Sequence, residues 1–363
     1  MPGRRLVRDL DWAMLSIVFI ICGIGIVQIY SATRGTTFQD TWWKQIVYIG
    51  MGVILMWITT AVDYHALIEQ ANVYYVVAVA GLLGVLVMGK TVLGGKRWIP
   101  LPGGLNLQVS EFAKLVILLI VARQLTRIST DVLEFRDFLR IVVVVLVPMA
   151  LIAAEPDLGT ALTYLPILGI GVFLAGLRWQ YWAAIAVITA VVVPLGFEFM
   201  KDYQRNRLLS FVDPDRDPKG TGYQLIQSRI SVGAGGMWGK GVTKGSQTQL
   251  GFLPIPHTDF IFSAFAEEHG FVGVTVVLSL YFVLLMQIVQ NAQTAPDRAG
   301  MFLCMGVAAL LLFHLLVNVG MVVGRMPVTG IPLPLMSYGG SSLWSVFMML
   351  GLVNNVRLRR FVN

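Results

Sequence analysis

The sequence contains little charge and little cysteine, and each shortage excludes a class of protein. Charged side chains make up 13% of its 363 residues, whereas soluble domains carry about 25%. With 56% hydrophobic residues and a mean hydropathy of +0.73, an ordinary soluble enzyme is excluded. The two cysteines, Cys22 and Cys304, both lie in apolar runs. We therefore predict buried free thiols rather than a disulfide or a metal pair.

The apolar residues are concentrated in ten long runs, which predict an all-α polytopic integral membrane protein. About 20 residues cross a bilayer as a helix, and these runs lack the alternation of barrel strands. We interpret the whole chain, 1–363, as one transmembrane domain whose first run is an uncleaved helix. The predicted spans are residues 12–31, 42–61, 73–89, 108–126, 137–154, 159–176, 180–199, 259–290, 300–323 and 336–356.

Lys and Arg are distributed unequally between the two sides of these spans. With the N-terminus inside, the short inner segments carry twelve and the short outer segments carry six. This asymmetry predicts that both termini are cytoplasmic and that the long segment 200–259, between spans seven and eight, is extracytoplasmic. The basic residues are scattered among loops, so they favour contact with anionic lipid headgroups, and no nucleic-acid partner is expected.

The segment between spans seven and eight is too long and too polar for a simple connector. Residues 201–260 hold 13 of the 47 charged residues and nine of the 37 glycines, and they end in His257-Thr258-Asp259. Thr258 or Asp259 is either an ordinary helix N-cap or part of a functional site. The following span of about 32 residues would be about 48 Å long as a straight helix. We therefore expect its first two turns to stand above the hydrocarbon, with Asp259 at the top of a wet vestibule.

Other polar side chains on the outer side are candidate ligands for an anion or a sugar. Lys96 and Arg97 lie beside a Trp, which also fits an interfacial anchor. Glu111 and Lys114, at i,i+3 spacing in an apolar span, form either a structural ion pair or part of an outward-facing anion site. Asp157 either caps the next helix or, with Glu155 at the mouth of the bundle, holds a divalent cation. The remaining candidates come from the long loop and the turn before the last span: Arg205, Arg207, Gln224, Gln227, Ser228 and Ser337.

Two further patterns have structural and functional interpretations. The glycine-rich stretch 233–241 is either a nest of main-chain N–H groups for phosphate or a flexible turn. His314 and Asn318 share a face of the ninth span at i,i+4 spacing, which favours an interhelical hydrogen bond.

The order of these motifs resembles that of the SEDS family (shape, elongation, division and sporulation). The similarity extends from about residue 90 to residue 345, and the short N-terminus and Gln247-Thr248-Gln249-Leu250 resemble the RodA-type elongation branch. The motifs are KRW, QVSEFAK, EPDLGT, DPDRDPKGTGYQLIQS, GAGGMWGKG, LPIPHTDFIF and PLPLMSYGGSS.

The resemblance implies a peptidoglycan glycosyltransferase that polymerises lipid II during cell elongation. It implies ten transmembrane helices in the bacterial inner membrane and a class B penicillin-binding protein, a transpeptidase, as partner. The family's catalytic carboxylate falls on Asp259, expected to be the general base, and its polar neighbours fall on Glu111, Lys114 and Asp157. A divalent cation, Mg²⁺ or Mn²⁺, is an open expectation without assigned ligands, and no organic cofactor is expected.

The sequence departs from the family pattern at four positions near these motifs. Val109 replaces the usual Pro, Ile255 replaces the usual Glu, and Asn106 and Gly251 stand where some relatives carry Arg and Glu. Substrate contacts at these positions therefore cannot be transferred. Two other functions stay open: a flippase for the lipid-linked precursor, and a non-catalytic scaffold for a transpeptidase that would tolerate loss of Asp259.

Overall fold

The computed structural model describes residues 9–92, 95–100, 106–128, 133–198, 200–217 and 220–360, without the side chains of 90–92, 95, 96, 193 and 203. The chain is almost entirely helical. The helices are α1 (Trp12–Thr33), α2 (Thr41–Ala61), α3 (Tyr64–Glu69), α4 (Ala71–Met88), α5 (Val109–Thr126), α6 (Phe135–Ala154), α7 (Leu158–Leu162), α8 (Tyr164–Leu174), α9 (Trp179–Glu198), α10 (Asp202–Val212), α11 (Thr221–Ala234), α12 (Ser246–Gln249), α13 (Ile261–Gln293), α14 (Arg298–Val322) and α15 (Gly340–Arg359).

Seven of the described helices are long and apolar enough to cross a bilayer: α1, α2, α4, α6, α9, α13 and α14. The other three predicted spans correspond to more polar or interrupted elements. Charged side chains interrupt α5, the sixth span is divided into α7 and α8, and α15 ends in two arginines. The prediction of an all-α polytopic membrane protein is confirmed.

The core of the bundle lies around α14 and α15. α15 packs along α2, while α14 packs against α13, α8 and α5. Small residues permit this close approach: a Cβ on Gly351 of α15 would lie 2.6 Å from the main-chain carbonyl of Met56 on α2. Close backbone contact is the usual way in which membrane helices gain packing energy, because lipid tails provide no hydrophobic drive between helices.

A small antiparallel sheet precedes α5. β1 (Lys90–Val92) pairs with β2 (Gly95–Pro100), which pairs with β3 (Asn106–Leu107). The main-chain N–H of Gln108 then donates to the Ser341 hydroxyl at 3.0 Å, so the end of the sheet is attached to the start of α15. Following the helices in order places this sheet at the same end of the bundle as residues 200–260 and 323–339. The described chain ends, Asp9 and Arg360, lie at the opposite end.

The expectation of a straight helix over the eighth span is wrong. α13 breaks at Gly270, whose φ of 63° and ψ of −165° are not helical. Around the break, residues 236–241 and 267–272 exchange four main-chain hydrogen bonds of 2.9–3.1 Å. The glycine-rich stretch thus satisfies the carbonyls and N–H groups that the kink removes from the helix. Two N–H groups that a phosphate nest would need, those of Lys240 and Gly241, are used by α13.

Candidate active site

Asp259 lies directly before the start of α13, at the end of the bundle opposite to the described chain ends. The N-cap of α13 is Phe260, with no side-chain capping bond, so Asp259 and Thr258 are not the cap that the sequence left open. The Asn318 amide of α14 donates to the carbonyl of Asp259 at 2.9 Å and to that of Ile331 at 2.8 Å. Asn318 therefore holds Asp259 against segment 323–339 through the main chain.

The two residues before Asp259 are attached to the turn that precedes α15. The Ser337 hydroxyl donates to the carbonyl of Thr258 at 2.8 Å, and the N–H of Tyr338 donates to that of His257 at 2.9 Å. The His257 ring lies 5.0 Å from the Phe38 ring and 5.9 Å from the Tyr338 ring. Burial lowers the pKa of His257, so its imidazole is neutral near pH 7. His257 and Ser337 position the Asp259 segment, and a substrate contact by either stays a prediction.

A second acidic segment, Glu155-Pro156-Asp157, lies at the same end of the bundle as Asp259. Asp157 caps α7 by accepting from the Thr160 N–H at 3.1 Å, and its other oxygen lies 3.4 Å from Arg97 and 3.2 Å from the Gln108 amide. Arg97 also donates to the carbonyls of Glu155 and Pro156. Arg97 is thereby held as a cation directly beside the acidic turn, as expected if this loop serves more than interfacial anchoring.

The electrostatics connect Asp259 with this turn. The pKa of Asp259 is raised to about 6, mainly because the surrounding protein excludes water. Arg207 opposes this rise, nearby Asp157 adds to it, and Arg97 opposes it. Arg207 donates to the carbonyl of Thr329 at 3.2 Å, which ties the long loop to segment 323–339. The sequence candidates Arg97, Asp157, Arg207 and Asp259 are thus brought together from four distant segments.

Glu155 is the acid that the sequence paired with Asp157 as a candidate cation ligand. Its side chain is buried, and its Oε1 atom has no hydrogen-bond partner among the described residues. The pKa of Glu155 is raised to about 8, mainly by burial and in part by the negative charge of Asp157, while Arg97 opposes the rise. Glu155 is therefore mostly protonated near neutral pH, in contrast to Asp259.

Lys114 and Glu111 form a fully buried ion pair on α5, with 2.8 Å between Nζ and the carboxylate. This geometry corresponds to the structural pairing that the sequence left open, and it leaves Lys114 without access to an outer cavity. An anion contact by Lys114 would require the pair to separate, and that role stays a prediction. The Lys96 side chain lies outside the described residues, although its backbone belongs to β2.

The remaining sequence candidates are dispersed over α10 and α11. Arg205 lies over the Phe197 ring at 4.7 Å, and Gln224 and Gln227 are half-buried. Ser228 is fully buried, and its hydroxyl bonds to the Ser263 hydroxyl and donates to the carbonyl of Val322, both at 2.8 Å. Ser228 thus joins α11 to α13 and α14, which makes a sugar contact structurally costly. The sugar-binding role of these residues stays a prediction.

Sequence reasoning missed two residues that border Asp259 and Asp157. Gln108 donates to Asp157, and a Cβ on Gly330 would lie 3.5 Å from Oδ2 of Asp259. Gln108 stood within a recognised motif, so its amide was a usable signal. Gly330 had no local signal, because its position beside Asp259 depends on how the turn after α14 packs.

A protein-bound metal needs several ligand groups close together. Among the described residues, no group of three or more His, Cys, Asp or Glu side chains is arranged to hold a metal ion. A binding site built from protein carboxylates alone therefore does not fit the geometry of the described site.

Comparisons with known proteins agree over the whole chain. The family model described as "Cell cycle protein", which covers FtsW, RodA and SpoVE, matches residues 11–360. Peptidoglycan glycosyltransferase RodA of Treponema pallidum is 32% identical, over 98% of this chain and 99% of that protein. Peptidoglycan glycosyltransferase MrdB of Escherichia coli K12 is 37% identical, over 99% of this chain and 97% of that protein.

Two solved structures share the fold. One chain, from a study of how a peptidoglycan synthase complex coordinates polymerization and crosslinking, has a TM-score of 0.84 at 34% identity, covering 98% of this chain and 99% of that one. The crystal structure of the rod shape determining protein RodA of Thermus thermophilus has a TM-score of 0.72 at 29% identity, covering 97% and 98%. With a family match over nearly its full length and relatives above 30% identity, this chain belongs to the FtsW/RodA/SpoVE family of cell cycle proteins.

Proposed function

We propose that this protein is a peptidoglycan glycosyltransferase that polymerises lipid II during cell elongation, with Asp259 as the general base. The observation that carries the mechanism is the environment of Asp259. Its carboxylate lies at the outer end of the bundle, its pKa is raised to about 6, and it interacts with Arg97 and Arg207. A base with this pKa is mostly deprotonated near pH 7 and is stronger than an ordinary Asp.

The requirements of the reaction fit these residues. When the acceptor hydroxyl attacks the anomeric carbon of the donor sugar, the bond to the polyprenyl diphosphate breaks. The diphosphate is a good leaving group once cations balance its charge, so a general acid is dispensable. Arg97 and Arg207 supply such cations, and charge-assisted hydrogen bonds from arginine to phosphate are strong. The acceptor hydroxyl needs one base, which Asp259 provides. A single displacement inverts the anomeric centre and converts the α-linked lipid sugar into a β-1,4 bond.

The membrane arrangement follows from the charge asymmetry of the loops. We assign both termini to the cytoplasm of a bacterial inner membrane, with residues 200–259 and Asp259 outside. The outward position of Asp259 is the one needed for polymerisation after the precursor has crossed the membrane. External cysteine labelling of Gly220→Cys in intact cells, with protection of Arg127→Cys, is the expected result.

Partners and cofactor follow from the same chemistry. We propose a class B penicillin-binding protein as the transpeptidase partner, since crosslinking must follow polymerisation, and the related synthase complex combines the two activities. Because no group of three or more potential metal ligands lies among the described residues, we propose that a Mg²⁺ or Mn²⁺ ion would use oxygens of the lipid diphosphate. Polymerisation with and without chelator tests this requirement.

The decisive experiment is Asp259→Asn in the purified protein reconstituted with its partner. The substitution keeps the size of the side chain and removes the base, so we expect lipid II polymerisation to fall about 10²–10⁴-fold. Asp215→Asn, a change of the same kind at an exposed position in the same loop, serves as the matched control and should polymerise normally. Near-normal glycan synthesis by a folded Asp259→Asn protein would refute the mechanism. If the wild type itself makes no glycan from lipid II in solution but moves it across vesicles, the flippase alternative applies.

A further inference from the structure

A cavity of about 430 Å³ lies at the end of the bundle opposite to Asp259. It is formed where α4 and α6 begin and α5 ends, on the side of the described chain ends. Three arginines contribute to its lining: Arg123 and Arg127 from the end of α5, and Arg140 from the second turn of α6. Neither the site at Asp259 nor the motifs of the sequence account for this concentration of positive charge.

The three arginines differ in how their charge is used. Arg140 lies 3.4 Å from Asp137, and Arg123 donates to a main-chain carbonyl of α3 at 2.7 Å. Arg127 is exposed, with no side-chain hydrogen bond or ion pair to another described residue. Among the described lining residues, three arginines and two carboxylates, Glu134 and Asp137, leave one net positive charge.

Uncapped helix starts add to the positive potential of the cavity. Glu134 is the N-cap of α6 and Gln70 that of α4, and neither side chain makes a capping hydrogen bond. Free N–H groups at helix starts favour anions. The Gln124 amide also lines the cavity, and its Oε1 atom is buried without a partner among the described residues. The N–H groups at the two helix starts are donors, whereas the Gln124 Oε1 atom is an acceptor and adds no donor for a phosphate.

The surface that continues from the cavity is apolar. Val73, next to the lining residue Asn72, is 62% exposed, and Val143, one turn from Arg140, is 51% exposed. The Tyr75 hydroxyl donates to the carbonyl of Val144 at 3.0 Å, which holds α4 and α6 together along this surface. A basic cavity that opens onto apolar faces of two spanning helices fits a molecule with an anionic head and hydrocarbon chains better than a soluble anion.

We propose that this cavity binds the phosphate headgroup of an anionic phospholipid, whose acyl chains lie along the exposed faces of α4 and α6. Basic pockets between spanning helices on the cytoplasmic side are suited to such headgroups, and arginine recognises phosphate oxygens with two parallel N–H donors. The site is separate from Asp259 and does not depend on the proposed glycosyltransferase reaction. A free phosphate shares the headgroup's chemistry and is distinguished by the test below.

The test compares two double variants that remove the same charge from the same face. Arg127→Gln with Arg140→Gln empties the cavity of two cations, whereas Arg136→Gln with Arg178→Gln removes two exposed arginines that do not line it. Each full-length protein is reconstituted in nanodiscs of phosphatidylcholine with a minority of phosphatidylglycerol, and retained lipid is counted by native mass spectrometry. We expect phosphatidylglycerol retention to weaken about 30-fold in the cavity variant, at about fivefold per basic residue, and to change little in the control.

Further measurements keep the outcome interpretable. Unfolding temperatures establish that both variants are folded, and Arg127→Lys with Arg140→Lys should recover most of the retention. Equal loss in the two double variants, or no preference for phosphatidylglycerol in the wild type, would overturn the proposal. Displacement of phosphatidylglycerol by inorganic phosphate at comparable concentration would identify a soluble-anion site and also overturn the lipid assignment. Lipid retention is measured without polymerisation, so failure of the mechanism at Asp259 leaves this result unaffected.

Discussion

Two acidic groups near the start of α13 differ in what holds them. The Glu267 carboxylate is fully buried and accepts hydrogen bonds of 2.8–3.1 Å from Lys240, from the N–H groups of Gln247 and Thr248, and from the Thr248 hydroxyl. Asp259 is partly exposed and is held by its main-chain carbonyl, which accepts from Asn318. A structural acid is anchored through its side chain, whereas anchoring through the main chain leaves a carboxylate available for chemistry.

Glu268 belongs with Glu267. Its buried carboxylate accepts from the Ser31 hydroxyl at 2.5 Å and from the Gln28 amide at 3.3 Å, both on α1. The pair fastens the first turns of α13 to α1 and to the loop that contains α12. These turns follow directly after Asp259 and support its position. The structural acids therefore hold the site in place, whereas Asp259 is available for its chemistry.

The comparison is tested most strongly by matched isosteric substitutions. Asp259→Asn should lower the polymerisation rate about 10²–10⁴-fold without lowering the unfolding temperature. A raised carboxyl pKa means that the charged form is disfavoured in the folded protein, so this position costs stability above the usual Asp pKa. Loss of both activity and thermal stability in Asp259→Asn would place Asp259 with the structural acids.

Gly270→Ala should abolish the kink that separates these turns from the membrane span. An added Cβ would lie 2.3 Å from the main-chain nitrogen of Gly239, and the positive φ disfavours any L side chain. We expect a loss of more than about 3 kcal/mol, since strain and overpacking add, seen as a low yield of folded protein. Gly233→Ala, where a Cβ meets nothing within 4 Å, is the control. A stable Gly270→Ala protein would contradict the role of the kink.

Glu267→Gln should lower stability while leaving the chemistry of the folded fraction intact. Hydrogen bonds to a charged group contribute about 1.5–3 kcal/mol, and Lys240 would lose its anionic partner. Thermal unfolding compared with polymerisation per folded molecule measures the two effects separately. Glu69→Gln, at an exposed position at the opposite end of the bundle, should change neither the unfolding temperature nor the polymerisation rate. If the folded fraction of Glu267→Gln is inactive, Glu267 takes part in the reaction.

The pH profile gives a smaller and graded effect. The base acts only when deprotonated, so polymerisation should be constant above a pH of about 6, the pKa of Asp259, and fall about tenfold per pH unit below it. The product rate at saturating lipid II across pH 4.5–8 would show this limb. An acid limb near the ordinary Asp pKa would show that the environment does not tune Asp259.

Arg207→Gln is expected to give the smallest change in the pH profile, in addition to the loss of rate that follows from removing a cation for the diphosphate. Arg207 opposes the rise in the pKa of Asp259, so its removal should move the acid limb to higher pH. Arg205→Gln, a neighbouring cation that lies over Phe197 instead, should leave the limb in place. A limb that moves equally in both variants would reflect the general charge of α10 rather than a specific interaction with Asp259.

The sequence predicted the fold class well and the site in part. Apolar run length and loop charge are local quantities, so the spans around α1, α2 and α14 were recovered nearly to their ends. The sequence candidates Arg97, Asp157 and Asp259 lie near one another in the structure, and their roles in a reaction stay predictions. The sequence could not reveal that the Ser228 hydroxyl bonds to α13 and α14. A serine that binds a sugar and a serine that bonds to a neighbouring helix look the same in the sequence.

The sequence by itself determined that this protein lies in the membrane and that a carboxylate ends its longest polar loop, because both follow from the linear order of apolar and charged residues. Only the tertiary structure decided that α13 is kinked at Gly270, that Lys114 is buried against Glu111, and which distant charges act on the pKa of Asp259. These properties depend on which distant segments exclude water and supply partners, and such information is absent from any single stretch of chain.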